Sequence, residues 1–159
     1  MNKENKFPIP KHLSHTPILG VENYEAIDGN YSGKSDAKGL SLGIAQWNTA
    51  GKTELSAKVW RHSDKRWSRQ SEELPLHRVI DLATLICTAI QTVLNKDQAK
   101  TKLDGDYVVS AIKYEGSGED QRLLEILENE LRKNDALLTN CIDRLTDAID
   151  KVKELRPAN

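Results

Sequence analysis

From Leu40 the apolar residues fall on alternate positions. Leu40, Leu42 and Ile44 share one face of GLSLGIAQWN, and Leu55, Ala57 and Val59 share one face of TELSAKVW. A period of two predicts half-buried strands, here joined through NTAGK. A second turn signal, HSDK at 62–65, leads into RWSRQS and completes a three-stranded antiparallel meander. The leucine-bearing side is the expected core. Alternation then sets Lys58, Trp60 and His62 together on the opposite, solvent-facing side, and Trp67, Arg69 and Ser71 together on the third strand. A one-residue slip in register would exchange the faces, so the pattern fixes which residues cluster and not which side they take.

After Pro75, a residue suited to the first turn of a helix, the period lengthens. Leu76, Val79, Ile80, Ala83, Leu85, Ile86, Ala89, Ile90, Val93 and Leu94 trace the broad apolar face of a central helix, with His77, Asp81, Thr84, Thr88 and Gln91 on its other side. NKDQAKTKLDGD is a polar connection, and DYVVSAIKY has the content of a fourth strand that closes the sheet. Ser117 and Asp120 resemble a capping box ahead of a helix through Leu123, Leu124, Ile126, Leu127 and Leu131. The residues KND at 133–135 supply a break and a new cap. Leu138, Ile142, Leu145, Ile149 and Val152 are then spaced four, three, four, three, the seam of a coiled coil. That seam either packs within the molecule or pairs with another subunit. At the other end, Pro8, Pro10 and Pro17 predict an extended arm anchored by Ile18, Leu19, Val21 and Tyr24, and residues 28–39 predict a loop.

The expected fold is therefore α+β: an antiparallel meander sheet of three to four strands packed on a central helix, with a C-terminal helical hairpin. Its segments are an arm (1–27), a core (28–115) and the hairpin (116–159), the last being part of the same compact unit. A chain of 159 residues is about one domain's worth. With 30% charged residues and a net charge of -1, no general attraction to a nucleic-acid polymer is expected, and any basic site must be local. The N-terminus has no apolar leader pattern and no run of 18 uncharged apolar residues occurs, so a cytoplasmic protein without a membrane partner is expected. Cys87 and Cys141 sit in helical patterns and read as reduced, small apolar residues.

Candidate chemistry concentrates in KVWRHSDKRWSRQSEELPLHR, residues 58–78. Arginine forks fit phosphate or carboxylate, tryptophan offers a flat face, and the helix start near Pro75 presents free N–H groups. Trp60, Arg61, His62, Trp67, Arg69, Ser71, His77 and Arg78 are accordingly the expected site for an anionic, nucleotide-derived small molecule. The competing account pairs the arginines with Asp64, Glu72, Glu73 and Asp81 and uses the tryptophans to shield the sheet. A hydrolase or transferase reading would use His77 and Asp81, four apart on one helix, with Ser71 or Ser68 as nucleophile. A third reading is a structural or protein-interaction module. GNYSGKS, residues 29–35, imitates a phosphate-binding loop but is one residue short, has Asp28 in place of the first glycine and leads into a strand. Lys34 can still face an anion there. The histidines lack metal-ligand spacing, so neither metal nor cofactor is expected.

Residues 36–82, carrying DAKGLSLGIAQWN, SAKVWRH and WSRQSEELPLHRVIDL, resemble a family of small, uncharacterised bacterial and phage-borne proteins. The resemblance implies a shared domain and no particular activity. Self-association through the C-terminal helices completes the expectations.

Overall fold

The computed structural model describes residues 6–63, 65–95, 101–104, 107–110, 112, 115–116 and 118–156. The chain divides into two compact units, residues 1–84 and 85–159, and the long helix contributes to both. It is α+β, with an antiparallel sheet and three α-helices.

In the first unit the order along the sheet is β1 (Thr16–Glu22), β2 (Ala37–Ile44), β3 (Leu55–Ser63) and β4 (Arg66–Trp67), and β5 (Glu73–Pro75) also pairs with β3. The β2–β3 hairpin is the one the period-two pattern predicts, with Leu42 opposite Ala57 and Leu40 opposite Val59. Its connection is held by Ala45 N–H donating to Glu54 O at 3.0 Å and Glu54 N–H donating to Asn48 Oδ1 at 3.0 Å.

The arm behaves differently from expectation, because its second half is an edge strand. Leu19 pairs with Leu42 and Val21 with Leu40, after an irregularity between Pro17 and Leu19. Proline cannot donate to a ladder, so an edge strand is where it is tolerated. The close approach also requires Gly43, where a Cβ would lie 2.0 Å from Thr16 O.

The predicted third strand is interrupted as well. RWSRQS pairs only through Arg66 and Trp67, and ladder pairing resumes at Glu73. Between them the serines divert the backbone: Gln70 N–H donates to Ser68 Oγ at 3.1 Å, and the Ser71 hydroxyl donates to Ser68 O at 3.1 Å. Such local bonds compete with a ladder.

The largest correction concerns the faces. Gly39, Ser41, Gly43, Ser56 and Trp60 point to the buried side of the sheet, whereas Leu40, Leu42, Ala57 and Val59 are only half-buried. The expected core face is thus the more open one, and the side expected to meet solvent is covered by the arm. Ile9, Pro10 and His15 are buried, and a Cβ on Gly39 would lie 2.9 Å from Ile9 Cγ1. Small residues on this face are what let the arm lie so close.

α1 (Leu76–Asn95) follows β5 directly, so Pro75 ends the strand rather than entering the helix. Thr88 is the buried residue of α1, and the helix is long and apolar enough to cross a membrane by length and composition. In the second unit, β6 (Lys102–Asp104) and β7 (Tyr107–Val108) form their own two-stranded ribbon. The predicted fourth strand is therefore limited to Tyr107 and Val108 and pairs outside the main sheet; residues 106, 111, 113 and 114 lie outside those described, as does Ser117 of the expected capping box. α2 (Glu119–Lys133) starts after Gly118, at φ 79, a left-handed position that favours glycine. α3 (Asp135–Leu155) is separated from it by Asn134 alone. Cys87 and Cys141 are both free thiols, and both are exposed rather than packed as small apolar residues.

Candidate functional site

Covering the small-residue face with the arm buries a connected set of polar side chains. The Glu73 carboxylate, on β5, accepts from Gln46 N–H at 2.8 Å, Ser56 Oγ at 2.7 Å and Lys58 Nζ at 2.9 Å. His15 Nδ1 lies 3.1 Å from Glu73 Oε1, and His15 Nε2 lies 3.0 Å from Ser41 Oγ, which also accepts from Trp60 Nε1 at 2.8 Å. Because a carboxylate only accepts, Nδ1–H donates to Glu73; where Nε2 carries no proton it accepts from the Ser41 hydroxyl. The side chains of His15 and Glu73 are essentially inaccessible. A carboxylate, an imidazole and a serine in this order imitate a nucleophilic triad, yet Ser41 and His15 are only 6% and 1% exposed. The arrangement fastens the arm to the sheet.

Burial pushes the Glu73 carboxyl up, but the Gln46 N–H, Lys58, Ser56 and His15 together outweigh it and hold the group down to about 2, against an ordinary 4.5. A carboxylate depressed on folding contributes stability that is complete above its unfolded value and disappears as pH falls through the folded one. Denaturant titrations are therefore expected to show roughly 3 kcal/mol of stability at neutral pH that is lost between about pH 4.5 and about pH 2. A flat stability profile across that interval would contradict the assignment.

Next to this polar set runs an aromatic series. His15 meets Trp60 edge-on at 5.7 Å between ring centroids, Trp60 meets Trp67 at 5.9 Å, Trp67 meets His62 at 4.9 Å, and His62 stacks on Phe7 of the arm at 4.4 Å. Phe7, His62 and Trp67 open onto a cleft of ≈ 510 Å³ whose other walls are arm residues, including Lys6, Lys11 and His12. Two ammonium groups, Lys6 Nζ at 5.3 Å and Lys38 Nζ at 5.5 Å, lie over the Phe7 ring. No carboxylate is among the described lining residues. His62 Nδ1 is buried and has no hydrogen-bond partner among the described residues.

Of the eight residues expected from the sequence, Trp60, His62 and Trp67 are brought together. Trp60 is only 1% exposed and offers no free ring face. Arg61 points to the other side of the sheet. Its guanidinium grips Glu72 with Nε at 2.9 Å and Nη2 at 2.7 Å, and Nη1 donates to Asp36. Hydrogen bonding to Glu72 raises the Arg61 pKa, and Arg61 in turn lowers that of Glu72. Ser71 lies beside it, with Arg61 N–H donating to Ser71 Oγ at 3.3 Å, and Arg69 is exposed. His77 and Arg78, both exposed, border a separate open cleft with Trp47, Glu54 and Leu55. Antiparallel pairing explains the split. Pro75 is opposite Ser56 whereas Trp67 is opposite His62, and six residues of strand separate those points by roughly 20 Å. Ser71, held near Arg61, is likewise distant from His77, so the alternative catalytic set is not assembled. Asp81 is an exposed residue of α1. Lys34 is exposed in a loop in which Ser35 Oγ donates to Asp28 and β2 follows.

Sequence reasoning missed His15, Glu73 as an acceptor hub, and Phe7 with the arm lysines. The only hint was composition: a strand face of Gly39, Ser41 and Gly43 asks for something to lie against it.

The model of a family described as a family of unknown function (DUF6530) matches residues 7–154. No curated protein and no solved structure matches the chain.

Proposed function

The chain belongs to DUF6530, a family of unknown function, and we propose from its geometry that it binds a small planar anion of the nucleotide type, in the cytoplasm and without converting it. The cleft beneath the arm is the site. One observation carries this reading: the rings of Phe7, His62 and Trp67 meet Lys6 and Lys11 in a cleft with no carboxylate among its described lining residues. Its size is within the range of small-molecule sites. A flat heterocycle finds aromatic surface there, and the ammonium groups of Lys6 and Lys11 supply charge for phosphate. Among the described lining residues there is no serine, cysteine, aspartate or glutamate to act as nucleophile or carboxylate base, which favours binding over turnover.

The test is calorimetric titration against mono-, di- and cyclic nucleotides, with thermal melts alongside. Trp67→Ala is expected to weaken binding by about 1 to 3 kcal/mol, the range for losing an aromatic stacking partner. Lys11→Met should weaken it and flatten its salt dependence while leaving the melt unchanged. Wild-type protein that binds nothing on the panel, or a Trp67→Ala variant that binds as wild type does, would refute the site.

A further inference from the structure

Lys38 is the extra residue of a bulge in β2. Ala37 is opposite Arg61 and Gly39 is opposite Trp60, so β2 advances two residues where β3 advances one. Strict alternation would send the Lys38 side chain to the open face with Leu40. The bulge turns it to the arm instead, where Nζ lies 5.5 Å from the centroid of the Phe7 ring. A bulge gives up local pairing to re-aim a side chain, and bulges recur beside binding sites for that reason.

Lys6 Nζ lies over the same ring at 5.3 Å. His62, with its centroid 4.4 Å away and its plane tilted by 36°, covers one face of Phe7, so the two ammonium groups share the other. Lys38 is held there by donating to Ser35 O at 2.9 Å, which leaves two of its three N–H groups for a further acceptor. No carboxylate pairs with Lys6, Lys11 or Lys38 among the described residues. Asp36, two residues before Lys38, accepts from Arg61 Nη1, and Glu22 Oε1 accepts from Ile9 N–H at 3.1 Å. Like charges gathered at one ring repel, and the ring face offsets only part of that repulsion.

On the reading of the cleft as a nucleotide-type site, on which this inference rests, we propose that it selects ligands ending in a phosphomonoester and that Lys38 is the specificity-determining residue. A phosphomonoester carries a charge of about −1.5 to −2 at pH 7 and three strong acceptor oxygens, enough to face Lys6 and Lys38 together. A phosphodiester, cyclic ones included, carries a single charge and has fewer free oxygens. Both faces of Phe7 are occupied, so the phosphate sits above its lysines and the heterocycle lies against Trp67, the other indole or phenyl ring in the cleft wall.

Calorimetric titration of the full chain tests this with adenosine 5′-monophosphate and its 3′,5′-cyclic counterpart, which share the heterocycle and differ in the phosphate. Wild type should bind the monoester at least about tenfold more tightly. Lys38→Met should bring that ratio to within about threefold, chiefly through lost monoester affinity, and Lys38→Arg, which keeps the charge, should retain most of it. A lysine with a merely structural role would lower both affinities together. Lys6→Met, at an exposed position of the arm, reads the same ratio should Lys38→Met melt below wild type. A wild-type ratio near unity, or one that Lys38→Met and Lys6→Met both leave unchanged, overturns the inference while the cleft stands as a nucleotide site. If neither compound binds, the cleft reading itself is overturned and the inference falls with it.

Discussion

Glu73→Gln is expected to destabilise the protein by roughly 3 to 5 kcal/mol, the range for removing one partner from a buried ion pair. The substitution changes little in volume. It leaves Lys58, whose side chain is 10% exposed, without a counter-charge, and it puts an NH₂ group where one of several donors now converges. Lys58 Nζ also lies 4.9 Å from the centroid of the Trp60 ring, but a ring face replaces only part of a carboxylate's attraction. Urea denaturation at neutral pH measures the loss. Adding Lys58→Met should restore part of it, because an apolar replacement of a buried pair is often close to neutral. If Glu73→Gln alone costs less than about 1 kcal/mol, the buried charge is not held as described.

Trp60→Ala should have a comparable effect on folding, roughly 3 to 5 kcal/mol, for a different reason. The indole is 1% exposed, contacts both His15 and Trp67 edge-on, and satisfies Ser41 through Nε1. Truncation leaves a cavity and withdraws a donor from the polar set. The comparison with Trp67→Ala distinguishes the two tryptophans, one lost mainly from the fold and the other mainly from ligand affinity. Melting and calorimetry on both variants decide it. Should Trp60→Ala melt like wild type, the ring is not the packed element described.

The two tryptophans also show what a sequence can and cannot reveal. Alternation along β3 correctly grouped Lys58, Trp60 and His62, because a strand's side-chain period is two whatever surrounds it. Sidedness depended on residues far away. The leucine face looked like the core because apolar area usually decides burial, and the opposite face became the buried one because an arm with Ile9 and His15 lies over glycine and serine. Likewise, the density of arginines at 61–78 suggested one anion site, but the position of β5 on the ladder spreads those residues along a strand. Arg61, the most tempting fork, is taken by Glu72 and Asp36. The helices were legible in their periods, since a run such as Leu138 to Val152 needs no knowledge of the rest of the chain, but not in their starts: Pro75 ends a strand and Gly118 precedes α2.

His15 reaches Ser41, Ser56 and Glu73 across 26, 41 and 58 residues of sequence. Loop closure over such distances is favourable only once the intervening strands are already in register. The arm is therefore expected to dock after the sheet has formed, with the imidazole as its latch. Because the cleft takes Phe7 and Lys11 from that same arm, opening of the arm is expected to dismantle the cleft while the β2–β3 hairpin persists.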